Sequence, residues 1–275
     1  MFWFSTLLAI PVSLIYKDKV GELYNSVKTL LGEENWKGDK RRLTKQCKMN
    51  EDTEVRISFA YLFRIEIEGK YFLVQNSRTG KYQPVGGVYK FNEMEHNYLK
   101  EHFSFEYDKP IAVDEVTKSD YRLYIKSKDL NAFIKRFDKT SDKENIRDLS
   151  REFKEEIFES GILNQDDFGN LSYIYCGRHM TSIIETVFHQ FELLLADIVE
   201  VRLTEEQKNI IKNLMYTDSD KYKFATSAEI KARGVKFGSH DLSDSIASHS
   251  SKILIENSDK LKRRNKHKNL ITVEL

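Results

Sequence analysis

The chain has 275 residues, 40% of them hydrophobic and 12% aromatic, which is enough for one large domain or two small ones around a packed core. Its 44 Lys and Arg against 43 Asp and Glu exclude a polyanion binder that works through net charge, leaving only local basic patches. The two cysteines, Cys47 and Cys176, stand far apart without a partner motif. Neither a disulfide scaffold nor a zinc site is therefore expected, and a reducing compartment fits.

Residues 1–16, MFWFSTLLAIPVSLIY, carry no charged side chain. A helix over Phe2–Tyr16 would span roughly 22 Å at ~1.5 Å per residue, short against a hydrocarbon core of ~30 Å. Trp3 and Tyr16, with Lys17 and Lys19 just beyond, can anchor its two ends in headgroups, and Pro11 is tolerable in a membrane helix. No basic start or small-residue cleavage site marks a signal peptide. The reading is a single transmembrane helix over residues 1–19, with a buried helix as the plainer alternative. The positive charge that follows, from Lys17 to Lys48, favours a cytoplasmic body. Residues 20–54 then read as an amphipathic helix and a linker. Val20, Leu23, Tyr24, Val27, Leu30 and Leu31 repeat at helical spacing, Gly32 ends the stripe, and the stretch from Glu33 to about Glu54 is polar.

The body begins with VRISFAYLFRIEIEGKYFLVQ (55–75), two β-rich runs around Glu68-Gly69-Lys70, which predicts a hairpin. Turn chemistry follows at Thr79-Gly80 and at Pro84–Gly87. A strand over Tyr121–Lys126 and a short helix over Asp129–Phe137 come next, then a helix over Lys143–Ser160. Strands resume in LSYIYCGR and in the run ending ADIVEVRLT. Thr204 with Gln207 offers a capping box for a further helix. FATSAEIKARG reads as a strand leading into a capped helix, and SDSIASHSSKILIE as a last helix. Strands, helix, strands, helices in that order indicate an α+β fold.

Within SREFKEEIFESG (150–161), Glu152, Glu155, Glu156 and Glu159 form one helical stripe, opposite Leu149, Phe153 and Ile157. Four carboxylates at this spacing repel one another unless cations lie near. A hard cation such as magnesium, bound by a few carboxylates with water and phosphate oxygens, answers that need. By periodicity alone an acidic surface helix is the stronger reading.

Gly87-Val-Tyr-Lys-Phe-Asn-Glu93 and Arg151-Glu152-Phe153-Lys154-Glu155-Glu156 resemble the two halves of the Nudix signature, G-x5-E-x7-R-E-U-x-E-E-x-G-U, where U is bulky and apolar. Two departures stand out. The spacer between Glu93 and Arg151 is 57 residues (94–150), 50 more than seven, and Phe158 occupies the second glycine position, with Gly161 the nearest glycine. The resemblance implies a Nudix-like α/β/α sandwich over residues 55–256, with the insertion at about 94–142 and a basic tail over 257–275. It also implies metal binding by Glu152, Glu155 and Glu156, with Arg151 orienting them. In an active enzyme these four would be the catalytic residues, with magnesium as cofactor.

The N-terminal segment joined to such a domain further resembles the transmembrane Nudix effectors of bacterial cyclic-oligonucleotide antiphage systems, the SMODS-associated Nudix group. That resemblance implies a protein of the bacterial inner membrane whose cytoplasmic domain binds a cyclic oligonucleotide, assembles into a homo-oligomer, and disrupts the membrane lipid through its N-terminal segments. The competing reading is a membrane-tethered hydrolase of nucleotide diphosphate derivatives. Arg and Lys suit phosphate, while Tyr, Phe and Arg suit base stacking. The candidate ligand-binding residues are therefore Arg78, Tyr82, Gln83, Gly86, Gly87, Tyr89 and Arg178. The basic residues of the tail (Lys262, Arg263, Arg264, Lys266, Lys268) read as a solvated face, with anionic lipid as second choice; no DNA or RNA binding is expected.

Overall fold

Val55, Ile57, Phe59, Tyr61 and Phe63 alternate along one strand, and all five are completely buried on a single face. In the computed structural model, which describes residues 36–108, 117–186, 191–235, 244–255, 261–262 and 269–275, this strand is β1 (Glu54–Arg64). The chain then switches to a second sheet. β2 (Glu66–Ile67) and β3 (Lys70–Gln75) form the expected hairpin, and Glu68 and Gly69 both take positive φ in its two-residue turn, at 51° and 75°. β4 (Tyr82–Gln83) pairs with β3, and β5 (Gly86–Val88) returns to pair with β1.

The insertion contributes α2 (Glu93–His102), β6 (Phe105–Tyr107), β7 (Arg122–Lys126) and α3 (Leu130–Lys139). Past it come α4 (Ser150–Phe153), a short α5 (Gln165–Phe168), β8 (Leu171–Met180), β9 (Glu192–Val201) and α6 (Glu205–Asn213). α6 starts at the expected capping box of Thr204 and Gln207. β10 (Tyr222–Ala225) leads into α7 (Ser227–Lys231), and β11 (Leu261–Lys262) and β12 (Leu270–Val273) close the chain.

The main sheet runs β11-β8-β9-β1-β7-β6, with β12 also on β8 and β5 on β1. β1 and β9 are parallel, and their other neighbours are antiparallel. Both faces are covered. Phe133, Phe137, Phe153 and Ile157 bury against the odd-numbered side chains of β1, and Ile230, Ile246 and Ile253 against Leu62, Ala196 and Ile198 on the reverse. Sheet between helical layers is the α/β/α arrangement, and it places the insertion helix α3 and the acidic helix on the same face.

The 50 extra residues leave and return at one place. An isolated bridge joins Phe91 to Lys143, and the Glu144 N–H donates to the Lys90 carbonyl at 2.8 Å. Between these points the insertion widens the sheet beyond β1 and lays Phe137 on Phe59, with ring centroids 3.8 Å apart and planes 17° from parallel. The Glu95 carboxylate, fully buried, accepts from Tyr121, Thr140 and Arg136, so this acid is a brace inside the insertion.

Four stretches differ from expectation. The last helix expected over SDSIASHSSKILIE is a 3₁₀ helix over Ser248–Leu254 alone, because Ile246 before it bridges to Tyr82. The polar linker contains α1 (Trp36–Lys45), held to the core by buried Trp36 and Leu43 seven residues apart on one face. The helix expected over Lys143–Ser160 starts only at Ser150, because residues 143–144 are hydrogen-bonded to the Lys90–Phe91 segment instead. The tail is partly sheet, with β12 set antiparallel against Leu171–Ile174 of β8. The membrane segment expected over residues 1–19 and the amphipathic helix after it lie outside the described residues. Among the described residues, no helix is long and apolar enough to cross a membrane.

Candidate functional site

β5 lies so close to β1 that a Cβ on Gly86 would sit 2.2 Å from the Tyr61 carbonyl oxygen, and its φ of 141° is a backbone setting that only glycine adopts freely. At Gly87 a Cβ would fall 1.9 Å from Glu152 Oε1. The paired glycines thus serve two separate approaches: one to the neighbouring strand, the other to a carboxylate from the acidic helix. Glu156 completes the contact, its Oε2 accepting the Gly86 N–H at 2.8 Å and its Oε1 the Gln83 amide at 3.4 Å. The turn and the acidic helix therefore converge despite the insertion, and Gln83, Gly86, Gly87, Glu152 and Glu156 share one cradle.

Arg151 ties this cradle together. Its guanidinium donates to Glu144 (2.5 and 3.1 Å), to Glu152 Oε1 (2.6 Å) and to the Val88 carbonyl (3.0 Å). Glu144, from the end of the insertion, also accepts the Lys90 N–H at 2.8 Å. It was not foreseen, since no motif marks it and its role exists only because the insertion returns to Lys90. Burial works against the charge of Arg151, but Glu144, Tyr61 and Glu152 raise its pKa on balance.

Helix geometry explains which glutamates meet. α4 widens into a π-type turn over Lys154–Glu159, and in such i→i+5 geometry residues four or five apart draw into line while those three apart fall further round. Glu152 and Glu156 accordingly face the glycine turn, and the Glu155 side chain stays 47% exposed, 3.4 Å from Arg151. Phe158, standing in the signature's glycine position, packs its ring on Phe153 and Phe168, so this helix runs on to Glu159 before Gly161 turns the chain at φ 72°.

The expected carboxylate triad is thus a pair, and among the described residues no three Asp, Glu, His or Cys side chains are grouped to hold a metal ion. Burial raises the pKa of Glu152, opposed by Arg151, and pushes Glu156 up to about 8 with help from the charge on Glu152. Beneath them the fully buried Tyr61 hydroxyl lies near the Glu152 backbone and, among the described residues, makes no hydrogen bond. Two carboxylates beside an orphaned hydroxyl and a glycine cradle fit the way magnesium is commonly held, by one or two carboxylates with water and phosphate oxygens, rather than a closed protein cage.

Beyond Tyr61, whose ring meets that of Tyr89 edge-on at 5.0 Å, the same face of the sheet opens into a cavity of about 280 Å³ lined by Tyr89, Phe137, Lys143, Tyr175, Arg178 and Asp197 among others. A bulge between Tyr175 and Gly177 makes this grouping possible. Strict alternation would send Arg178 to the opposite face from Tyr175, but the extra residue restores it to the same side. Asp197 then accepts from Tyr89 (2.9 Å), Tyr175 (2.9 Å) and both arms of Arg178 (2.8 Å each), while Arg178 reaches Asp138 of α3 at 2.8 Å. Asp197, Tyr175 and Lys143 stand alone in the sequence, in no motif, and only the fold brings them together.

The other two expected ligand residues belong to neither group. Arg78 sits on the exposed turn after β3, and Tyr82 packs with the cluster on the reverse face of the sheet, its ring near Lys223.

Residues 54–254 match the family of the SMODS-associated NUDIX domain, and the chain belongs to that family. The mixed α/β architecture and the glycine turn facing the RE-U-x-EE helix accord with a Nudix-like domain, here the Nudix effector part of a SMODS antiphage system. No curated protein matches the chain.

Proposed function

We propose that this Nudix-like domain is a sensor that binds a cyclic oligonucleotide rather than an enzyme that turns one over. The observation that carries the reading is the commitment of the acidic residues. Glu152 is tied to Arg151, Glu156 to the Gly86 N–H, and Glu155 faces outward, so the three carboxylates that would hold catalytic metals do not converge. A phosphate cradle is retained, but the charge needed for turnover is dispersed. If magnesium binds, Glu152 and Glu156 would hold it, and it would supply charge neutralisation for a phosphate set against the glycine turn. Glu156, with its raised pKa, would have to lose its proton to do so.

The rest of the reading is a sequence of proposed steps at the bacterial inner membrane. Ligand binding favours an assembled state only if the ligand prefers it to the single chain, and the insertion, which lines the cavity and braces the cradle, is the element a ligand would bias. Assembly then brings together the uncharged N-terminal segments, which disrupt the membrane. The test is calorimetry of the full chain against cyclic di- and trinucleotides with and without magnesium, alongside sedimentation in detergent. Heat with at least one ligand, a rise in mass on adding it, and its recovery intact are expected. No heat from any of them ends the sensor reading. Magnesium-dependent cleavage of nucleotide diphosphates that disappears in Glu156→Gln would replace it with the hydrolase.

A further inference from the structure

The cavity beyond Tyr61 is walled by three rings, Tyr89, Phe137 and Tyr175, on a floor provided by Arg178. Its polar groups are unequally satisfied. The Arg178 guanidinium is paired with Asp197 and Asp138, and the Tyr89 and Tyr175 hydroxyls both donate to Asp197. Lys143 is different. Its amine lies 4.5 Å from the Phe137 ring centre and 5.3 Å from that of Tyr89, and among the described residues its one hydrogen bond is to the Glu144 carbonyl at 3.2 Å. Among the described residues no carboxylate forms an ion pair with it, and partial burial lowers its pKa. A part-buried ammonium set among aromatic faces with one such bond keeps donors for a further acceptor.

The charges at the cavity cancel, Arg178 and Lys143 against Asp138 and Asp197. Such a site offers no net attraction to a phosphate, but it suits a flat, uncharged group with acceptor atoms on its edge. A volume of about 280 Å³ lies just below the ~300–1,000 Å³ range of drug-sized ligand sites, room for one nucleoside and not for a cyclic oligonucleotide entire.

We propose that this cavity, roofed by the insertion, is a nucleobase-binding subsite in which the rings of Tyr89, Phe137 and Tyr175 hold the base and Lys143 donates to a carbonyl or ring nitrogen on its edge. The subsite is separate from the glycine cradle, with the Tyr61–Tyr89 ring pair between them. The proposal deepens the sensor reading, since a ligand made of linked nucleotides presents bases as well as phosphates. It does not need that reading to be tested, because free nucleosides carry the base without a phosphate.

The experiment is saturation-transfer NMR on the full chain in detergent with adenosine, guanosine, cytidine and uridine. Transfer to base protons of at least one nucleoside, exceeding transfer to its ribose protons, is expected, and excess pyrophosphate should leave it in place. Lys143→Met should weaken that nucleoside at least tenfold, and Lys143→Arg should recover part of the loss. Among the described residues Lys143 has no ion pair to break, and unchanged thermal unfolding of Lys143→Met confirms that the fold persists. No transfer from any nucleoside, transfer confined to ribose, displacement by pyrophosphate, or equal binding by Lys143→Met overturns the subsite. If nucleosides bind through Lys143 while no cyclic oligonucleotide gives heat, the subsite stands and the sensor reading falls. The reverse result leaves the sensor and removes the subsite.

Discussion

Glu156 gives the cradle a quantitative signature in pH. Its carboxyl is pushed up to about 8, first by burial and next by the charge of Glu152, while the Gly86 N–H and the Gln83 amide pull the other way. The folded chain therefore keeps a proton that the unfolded chain, near 4.5, has already released. The stability linked to that proton is complete below about pH 4.5 and is lost as pH rises through about 8. The fall is at most ~1.4 kcal/mol per pH unit and would sum to ~3 kcal/mol between about pH 5.5 and 8.5. Glu156 keeps some surface exposure, so screening reduces the change to ~1.5–2 kcal/mol. Urea unfolding at several pH values across that window, for the natural chain and for Glu156→Gln, isolates the effect. Gln is close in shape, keeps an acceptor for the Gly86 N–H and does not ionise, so the natural chain should lose its advantage over the variant as pH rises. Parallel stability curves for the two chains would refute the assignment of a buried, proton-holding Glu156.

Three further outcomes follow from the same geometry. Gly86→Ala should cost more stability than Gly87→Ala, because the first meets rigid backbone at 2.2 Å and the second a side chain that can rotate away; roughly 3 against 1–2 kcal/mol by urea unfolding is expected, and equal losses would contradict the packing. Asp197→Asn should destabilise by ~3–5 kcal/mol, since it weakens the acceptor shared by Arg178 and two tyrosines, and the double variant Arg178→Met/Asp197→Leu should lose less than the single one. Arg151→Lys should cost ~2–3 kcal/mol in the same assay, because a lysine cannot span Glu144, Glu152 and the Val88 carbonyl together; a loss under 0.5 kcal/mol would show that the fork is dispensable.

Local chemistry made some of this fold legible and hid the rest. The β2–β3 turn could be read because Glu68-Gly69 must supply two positive φ angles, and the start of α6 because Thr204 and Gln207 satisfy each other's backbone groups. The meeting of Gly86 and Gly87 with the acidic helix was legible through the two halves of the signature. Three features were not. The π-type turn that parts Glu155 from Glu152 and Glu156 has no residue code, since the same four glutamates fit an ordinary helix. The bulge that brings Arg178 beside Asp197 depends on strand pairing. Glu144 and Lys143 acquire their places only when residues 143–144 bind back to Lys90 and Phe91, a pairing across the whole insertion. α1 was missed because only Trp36, Leu43 and Met49 anchor a stretch that is otherwise charged.

The parallel pairing of β1 with β9 also bears on synthesis. Arg56 and Glu192, at one end of that pairing, are 136 residues apart in the chain. A ribosome adding ~5–20 residues per second takes roughly 7–27 s to travel between them. Until β9 has emerged, β1 lacks its parallel neighbour, and Asp197, on which Arg178, Tyr89 and Tyr175 all converge, has not been made. A nascent or prematurely terminated chain that stops short of β9 thus cannot present a finished cavity, so any response to a ligand there waits until that strand has been made.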